Sequence, residues 1–321
     1  MPLFGGGTEM KMAEEKIIIG EGGPWPLNGI LSLPGGAEGP VPAVILVHGS
    51  GSSDMDEKIF KNRPFRDLAE GLTARGIAVI RYDKRSFVHG RKLVKNRSFT
   101  VYDETIEDAI LAAALLRSDP RIDKNKVFMI GHSMGGMLAP RIDAMGGDFA
   151  GLIIMAGTLR KLEEVMFGQI DEMIADANPL MRFLIKKQEK SLRKKFAGLY
   201  EIDDEKAKEI KIMGGASAYY FKEMGLNDAP SYLAKMNKPI LVLHGGKDCQ
   251  VSESDFEMYK ELLGDRDNAA FRLYPELNHL FMPSVYGTLK KVMKEYKIKS
   301  RVADVVMDDI AEWIFEVSKD C

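Results

Sequence analysis

The apolar residues of the chain follow two alternating patterns. Short runs such as residues 43–47 are almost wholly apolar, which is typical of strands buried on both faces of a parallel sheet. Between these runs, apolar residues recur at every third or fourth position, which predicts amphipathic helices. This alternation predicts an α/β protein with a mostly parallel sheet and helices on both of its faces.

The individual elements can be bounded from the same patterns. Residues 16–20 and 28–33 predict an N-terminal antiparallel hairpin, because Gly and Pro residues separate them. Residues 83–98 are polar and predict a loop. Further strands are predicted at 43–47, 77–82, 127–130, 151–155, 239–243 and 271–274, and helices at 65–75, 102–117, 253–263 and 302–317, with another directly after the strand at 127–130.

The alternation stops after residue 157 and returns at residue 239. Between them the pattern is helical and strongly charged, with helices predicted at 162–175, 180–196, 203–212 and 216–224. We interpret residues 158–236 as a helical cap segment inserted into a core formed by 16–157 and 237–321, with an N-terminal extension at 1–15. The alternative is that the helical segment is simply part of the scaffold.

Composition excludes several functional classes. The 321 residues carry 45 Lys and Arg against 47 Asp and Glu, so no charge excess favours nucleic acid or an anionic membrane surface. Two cysteines, Cys249 and Cys321, are too few for a disulfide framework and favour the cytoplasm. No signal peptide and no run long enough to span a bilayer is visible. We expect no metal, no cofactor and no membrane partner, and a homodimer is possible.

The strongest local pattern is the strand-turn-helix stretch around Ser133. Gly131 to Gly135 spell G-x-S-x-G directly after a buried strand, as in a nucleophile elbow. Serine at so sharp a turn needs small residues two positions away on each side, which Gly131 and Gly135 supply. The amide of Met134, at the start of the next helix, can then donate to an oxyanion.

A serine nucleophile needs a base, and the chain offers five histidines. His132 lies on the elbow turn itself. His48 and His244 end strands immediately before Gly and are expected to bond loop backbone, whereas His89 lies in a polar loop where it could touch substrate. His279 follows the last strand and is the predicted base.

The predicted acid is Asp248, in the loop after the strand at 239–243. Its competing interpretation is a turn-forming aspartate, and Glu276 and Asp255 are weaker rivals. Ser133, Asp248 and His279 then each follow a sheet strand, in the chain order serine, acid, histidine.

The second oxyanion donor is predicted in the loop after the strand at 43–47. We assign it to the amide of Ser50, with Gly51 as the alternative; a Gly-rich turn without a ligand is the other interpretation. A phosphate-binding loop is disfavoured because no Gly-Lys-Ser/Thr follows.

Four side chains are candidates for the substrate pocket. Tyr219 and Tyr220 in the cap segment could line an acyl or aromatic pocket, although aromatic residues in helices more often serve packing. Lys84 and Arg85 follow a strand and could meet an acidic group, although ion pairing that shapes the loop is the favoured alternative.

Taken together, the motifs at residues 48–51, 81–85, 131–136, 245–248 and 278–279 resemble those of α/β-hydrolase-fold serine esterases. The chain is similar over residues 17–317 to bacterial carboxylesterases of the EstD and cinnamoyl-esterase kind, within a group that includes serine aminopeptidases and acyl-CoA thioesterases. The resemblance implies hydrolysis of small to medium esters through an acyl-enzyme, with Ser133, Asp248 and His279 as triad. Thioesterase or peptidase activity on the same triad is the alternative, and a non-catalytic binding protein ranks last.

Overall fold

A computed structural model describes residues 12–212 and 214–319 of the chain. The strands are β1 Ala13–Ile19, β2 Leu27–Leu33, β3 Val41–Val47, β4 Ala78–Tyr82, β5 Ile122–His132, β6 Leu152–Met155, β7 Ile240–Gly245 and β8 Ala269–Tyr274. The helices are α1 Pro64–Thr73, α2 Arg85–Leu93, α3 Glu107–Ser118, α4 Met134–Ile142, α5 Leu162–Asp176, α6 Pro179–Phe196, α7 Asp204–Glu209, α8 Ala218–Leu226, α9 Ala229–Leu233, α10 Glu253–Leu263, α11 Val292–Glu295 and α12 Asp304–Val317.

The strands form one sheet in the order β1-β2-β4-β3-β5-β6-β7-β8. The hairpin β1-β2 is antiparallel and joins β4 antiparallel, while all pairs from β4 to β8 are parallel. The predicted hairpin and the predicted α/β fold class are therefore confirmed. Strand β1 begins at Ala13, inside the predicted N-terminal extension, and residues 1–11 of that extension lie outside the described part of the chain.

Successive residues of the central strands supply two separate cores. In β3, Ile45 and Val47 belong to one apolar cluster, whereas Val44 and Leu46 belong to the other, on the opposite face of the sheet. Each cluster is completed by helices, the first including α3 and α4 and the second α1 and α12. Burial on both faces explains why these strands read as continuous apolar runs.

The helix α2 corrects the predicted loop at residues 83–98. Only Arg85 and Leu93 of this helix are buried, so the sequence has no apolar periodicity to reveal it. Helix α9 was also not predicted; Pro230 stands at its start, where a missing amide proton is harmless. The predicted helix at 102–117 begins as a π-helical turn, Tyr102–Ile106.

Five helices, α5 to α9, lie between β6 and β7 within the predicted cap segment. Helix α8 is well packed, and its Glu223 pairs with Arg141 of α4. Helix α6, in contrast, has no buried residue. The division into core and cap stays a prediction. No helix in the described ranges, 12–212 and 214–319, is long and apolar enough to cross a membrane.

Candidate active site

Ser133 occupies the turn between β5 and α4. Its backbone angles are φ 53° and ψ −115°, outside the regions that side chains favour, at an expected cost of about 1–3 kcal/mol. Two backbone hydrogen bonds hold it there: its amide donates to Met155 at 2.8 Å, and its carbonyl accepts from Met137 at 3.0 Å. The strain is thus maintained by the ends of β6 and α4.

The flanking glycines make this turn possible. A Cβ at Gly131 would lie well inside 3.0 Å of the Gly135 carbonyl oxygen, and one at Gly135 would overlap the carbonyl oxygen of Val47. Side chains at these positions would push α4 away from β5 and β3. The glycines therefore serve close packing of three elements around Ser133.

Asp248 and His279 form a hydrogen-bonded pair. The Nδ1 atom of His279 lies 2.6 Å from Oδ2 of Asp248, whose side chain is fully buried. The other oxygen accepts from the amides of Gln250 at 2.7 Å and Val251 at 3.0 Å. Burial alone raises the pKa of Asp248, but the His279 ring and these hydrogen bonds outweigh it and lower the pKa. Asp248 is therefore a charged, fixed partner for the imidazole.

The rival acids have other places in the structure. Asp255 accepts from Thr158 at 2.6 Å and from Arg160 at 2.8 and 2.7 Å. Glu276 is exposed. The structure thus brings His279 to Asp248 rather than to either rival.

His132 and Glu57 form a buried link that the sequence did not reveal. Nε2 of His132 donates to the His279 carbonyl at 2.9 Å, and its Nδ1 lies 2.9 Å from Oε2 of Glu57. Oε1 of Glu57 accepts from the amide of Gly49 at 2.8 Å. Burial lowers the pKa of His132, yet the Glu57 carboxylate outweighs it and raises the pKa, which favours the imidazolium form of the ring. Glu57 stands in a charged stretch, where nothing in the sequence distinguishes it from solvated neighbours.

The loop after β3 adjoins Ser133. A Cβ built on Gly49 would lie 3.1 Å from the Cβ of Ser133, so this backbone passes directly beside the serine. Glu57 already occupies the Gly49 amide, whereas no hydrogen bond in the described ranges uses the amide of Ser50. Gly51 has a positive φ of 88°. The oxyanion roles of Ser50 and of Met134, at the first position of α4, stay predictions.

The chain is similar to known hydrolases over most of its length. Residues 39–283 match the family Hydrolase_4, serine aminopeptidase, S33. The chain belongs to this S33 family. Esterase EstD of Thermotoga maritima is 37% identical over 304 residues, covering 94% of this chain and 67% of EstD. A putative monoglyceride lipase of Schizosaccharomyces pombe is 26% identical over 295 residues, covering 87% of this chain and 69% of the relative.

Solved structures support the fold of this S33 protein. Est1E from Butyrivibrio proteoclasticus superposes with a TM-score of 0.54 at 17% identity, covering 92% of this chain and 99% of Est1E. The Pyrococcus furiosus esterase Pf2001 gives a TM-score of 0.55 at 14% identity, covering 98% and 95%. At these identities the likeness concerns the fold alone.

The charged pocket candidates of this S33 protein are bonded internally. Lys84, 2% exposed, donates to the Gly49 carbonyl at 2.8 Å, and Arg85, 1% exposed, binds Asp108 and Glu107. This favours the loop-shaping alternative over contact with an acidic substrate. Burial raises the pKa of Asp108 to about 7, although the adjacent Arg85 opposes the shift.

The two tyrosine candidates, Tyr219 and Tyr220, differ in their burial and in their contacts. Tyr220 is buried and donates to Glu104 at 2.5 Å, whereas Tyr219 is half-buried with Lys208 5.0 Å from its ring centre. Their role in lining a pocket stays a prediction.

Of the remaining histidines, His48 bonds loop backbone as expected. In contrast, Nε2 of His244 has no hydrogen-bond partner in the part of the chain that the structure describes, and His89 lies in α2 rather than in a loop. Nε2 of His48 bonds the Asp54 carbonyl at 3.0 Å, and burial lowers the pKa of His48 to about 4, so it is neutral. His244 stacks on Phe256, and His89 bonds the Pro26 carbonyl. Within the described ranges, no cluster of three or more His, Cys, Asp or Glu residues could hold a metal ion.

Proposed function

We propose that this S33-family chain is a serine hydrolase that cleaves carboxylic esters of small to medium acyl groups through an acyl-enzyme. The observation that carries the proposal is the buried Asp248–His279 pair, 2.6 Å between Oδ2 and Nδ1, at the same sheet edge as the strained Ser133. A base held by a charged acid at the same sheet edge as a half-buried serine on a strained turn is the arrangement that acyl transfer requires.

The mechanism follows from these positions. His279 takes the proton of the Ser133 hydroxyl as its oxygen attacks the ester carbonyl, and Asp248 stabilises the imidazolium that forms. The amides of Met134 and Ser50 hold the oxyanion. The protonated His279 then donates to the leaving alcohol, which leaves the acyl group on Ser133. Water activated by His279 releases the acid and restores the serine.

Esters are favoured over the alternative substrates. The relative EstD, named an esterase, is 37% identical across nearly the whole chain. Coenzyme A thioesters call for a basic rim, and Lys84 and Arg85, the candidates for one, are buried in internal ion pairs. Peptide cleavage is the activity in the family's description, and it is the second candidate for that reason.

We place the enzyme in the cytoplasm because of its low cysteine content. A homodimer stays a prediction.

The test is hydrolysis of p-nitrophenyl acetate, butyrate and octanoate by the wild type and by Ser133→Ala. We expect the wild type to turn over the shorter esters and Ser133→Ala to lose activity by about 10⁶-fold, because nucleophile and base act as one unit. Aminoacyl p-nitroanilides and acyl-CoA are measured in parallel. Turnover that persists in Ser133→Ala, or a preference for the anilides or thioesters, would contradict the proposal.

The two aspartates provide a matched comparison for the acid. Asp248→Asn presents the wrong hydrogen-bonding group to Nδ1, and a loss of about 10⁴-fold in kcat is expected. Asp255→Asn weakens the bonds to Thr158 and Arg160 and is expected to lower stability while the folded enzyme keeps its kcat. Equal losses of kcat in the two variants would contradict the assignment of Asp248 as the acid that orients His279.

A further inference from the structure

The peptide between Gly49 and Ser50 is held by a buried ammonium group. Nζ of Lys84 lies 2.8 Å from the Gly49 carbonyl oxygen, and the Lys84 side chain is 2% exposed. On the other side of Gly49, the amide donates to Glu57 at 2.8 Å. Gly49 is therefore fixed at both its amide and its carbonyl, directly beside Ser133.

This carbonyl belongs to the same planar unit as the amide of Ser50. In a trans peptide the C=O and N–H bonds point in opposite directions. A carbonyl drawn inward to Lys84 therefore turns the Ser50 N–H outward, away from the ammonium group. In agreement with this, Ser50 is exposed and no hydrogen bond in the described ranges uses its amide.

The ammonium group also changes the strength of that donor. A cation bonded to a peptide oxygen polarises the whole amide, and chains of hydrogen bonds strengthen one another in a buried environment. The N–H of Ser50 thus becomes a better donor to a negatively charged oxygen. The charge of Lys84 acts through the peptide, without contact with the substrate.

Lys84 is itself held from the cap segment. Its Nζ lies 3.4 Å from Oε1 of Glu104, and Oε2 of Glu104 accepts from the hydroxyl of Tyr220 in α8. Burial alone raises the pKa of Glu104, but the Lys84 charge and the Tyr220 hydroxyl outweigh it and lower the pKa. A charged carboxylate thus connects α8 to the ammonium group beside the active site.

We propose that Lys84 is a positioning residue of the oxyanion hole: its ammonium group orients and polarises the Gly49–Ser50 peptide, with Glu104 and Tyr220 holding it in place. The proposal rests on the esterase function and on Ser50 as oxyanion donor. It assigns to Lys84 a role in the transition state that differs from the direct substrate contact considered for it from the sequence.

The experiment compares Lys84→Met with the wild type on p-nitrophenyl butyrate. Loss of an oxyanion donor lowers kcat by about 10²–10³-fold, so a weakened and misaligned donor is expected to lower it by about 10–100-fold, with KM little changed. Ser133 adds to the carbonyl of an alkyl trifluoromethyl ketone to form a tetrahedral oxyanion. The affinity for this ketone is therefore expected to fall in parallel. A ketone affinity equal to wild type would overturn the proposal.

Lys222→Met is the matched control. Lys222 is also buried and likewise donates to a carbonyl, that of Ile202 at 2.6 Å, and to a carboxylate, that of Asp204 at 2.8 Å. It is expected to lose stability and to keep both kcat and ketone affinity. The same loss of kcat and ketone affinity in the two variants would show that Lys84 has only a structural role.

Conservative variants keep the proposal testable if Lys84→Met fails to fold. Lys84→Arg retains the charge and is expected to recover part of kcat, and Glu104→Gln is expected to lower kcat several-fold at constant KM. Wild-type kcat in Glu104→Gln together with an inactive, folded Lys84→Arg would contradict the arrangement. Absence of ester turnover by the wild type would instead contradict the proposed function, so the two failures are distinguishable.

Discussion

The Glu57–His132 pair joins three positions of the proposed active site through one buried ion pair. Glu57 bonds the amide of Gly49 in the loop beside Ser133, and His132 both precedes Ser133 in the chain and bonds the His279 carbonyl. A carboxylate and an imidazolium that are both buried are stable only together, because either one alone is an uncompensated charge. The pair therefore contributes to stability in a way that depends on pH.

Glu57→Gln is expected to destabilise the protein most near pH 5.5. The raised pKa of His132 means that its contribution is complete below its ordinary value of 6.5 and is lost as pH rises through the raised value. The lowered pKa of Glu57 means that its contribution is complete above 4.5 and is lost as pH falls through the lowered value. Between these limits the variant is expected to lose about 3–5 kcal/mol.

Urea unfolding of both proteins at pH 5.5 and pH 9 measures this dependence. We expect the difference in unfolding free energy to shrink between the two pH values, because the contribution of His132 is lost as pH rises through its raised pKa. Glu21→Gln, which changes an exposed carboxylate, is the control and is expected to have little effect. A difference that is the same at the two pH values would show that the pair is not charged in the folded state.

Among the elements, the elbow depends on how closely α4 approaches β3 and β5. Gly135 lies inside α4, where Ala normally favours the helix by about 1 kcal/mol. That gain is smaller than the energetic cost of the steric overlap between the added Cβ and the Val47 carbonyl oxygen, because a backbone oxygen of a central strand cannot move away. Packing rather than helix propensity therefore decides the residue at this position.

Gly135→Ala is expected to lower the free energy of unfolding by about 1–3 kcal/mol and to reduce esterase activity, since α4 and Ser133 must shift together. Gly90→Ala in α2 is the matched variant. No atom lies within 4 Å of the added Cβ there, and about 0.5–1 kcal/mol of stabilisation is expected. Thermal unfolding measures both changes. A Gly135→Ala protein with wild-type stability would contradict the close approach of α4 to β3.

The elements also show what sequence patterns can reveal. Helix α10 was predicted with the bounds that the structure has, because its apolar residues recur at helical spacing between a capping serine and a glycine. Helix α2 was missed because its main buried residue is Arg85, whose partner Asp108 lies on α3. The positions of Glu57 and Lys84 likewise depend on contacts between distant segments, which no local pattern records.

At the scale of the whole molecule, the helices differ in how much of each is buried, as α4 and α6 show. Every residue of α4 is buried, whereas none of α6 is. A helix with few buried apolar contacts opens at a low free energy, because little is lost when it does. Local stability is therefore expected to be lowest in this part of the cap segment.

Hydrogen–deuterium exchange measured by mass spectrometry tests this expectation. Amides of α6 are expected to exchange orders of magnitude faster than those of α4 and β5, whose opening approaches global unfolding. Helix α12, of similar length but with an apolar face packed in the core, is the internal comparison. Protection of α6 equal to that of α12 would show that another surface covers α6.

The direct pairing of β6 with β7 bears on how such enzymes diversify. Leu152 lies opposite Ile240, although the whole cap segment separates them along the chain. The entropy lost on closing a loop grows only with the logarithm of its length, so doubling the insertion costs about 0.6 kcal/mol. The segment between β6 and β7 can therefore change in length with little effect on the sheet. Changes in that segment leave Ser133, Asp248 and His279, which follow β5, β7 and β8, in the geometry set by the strands.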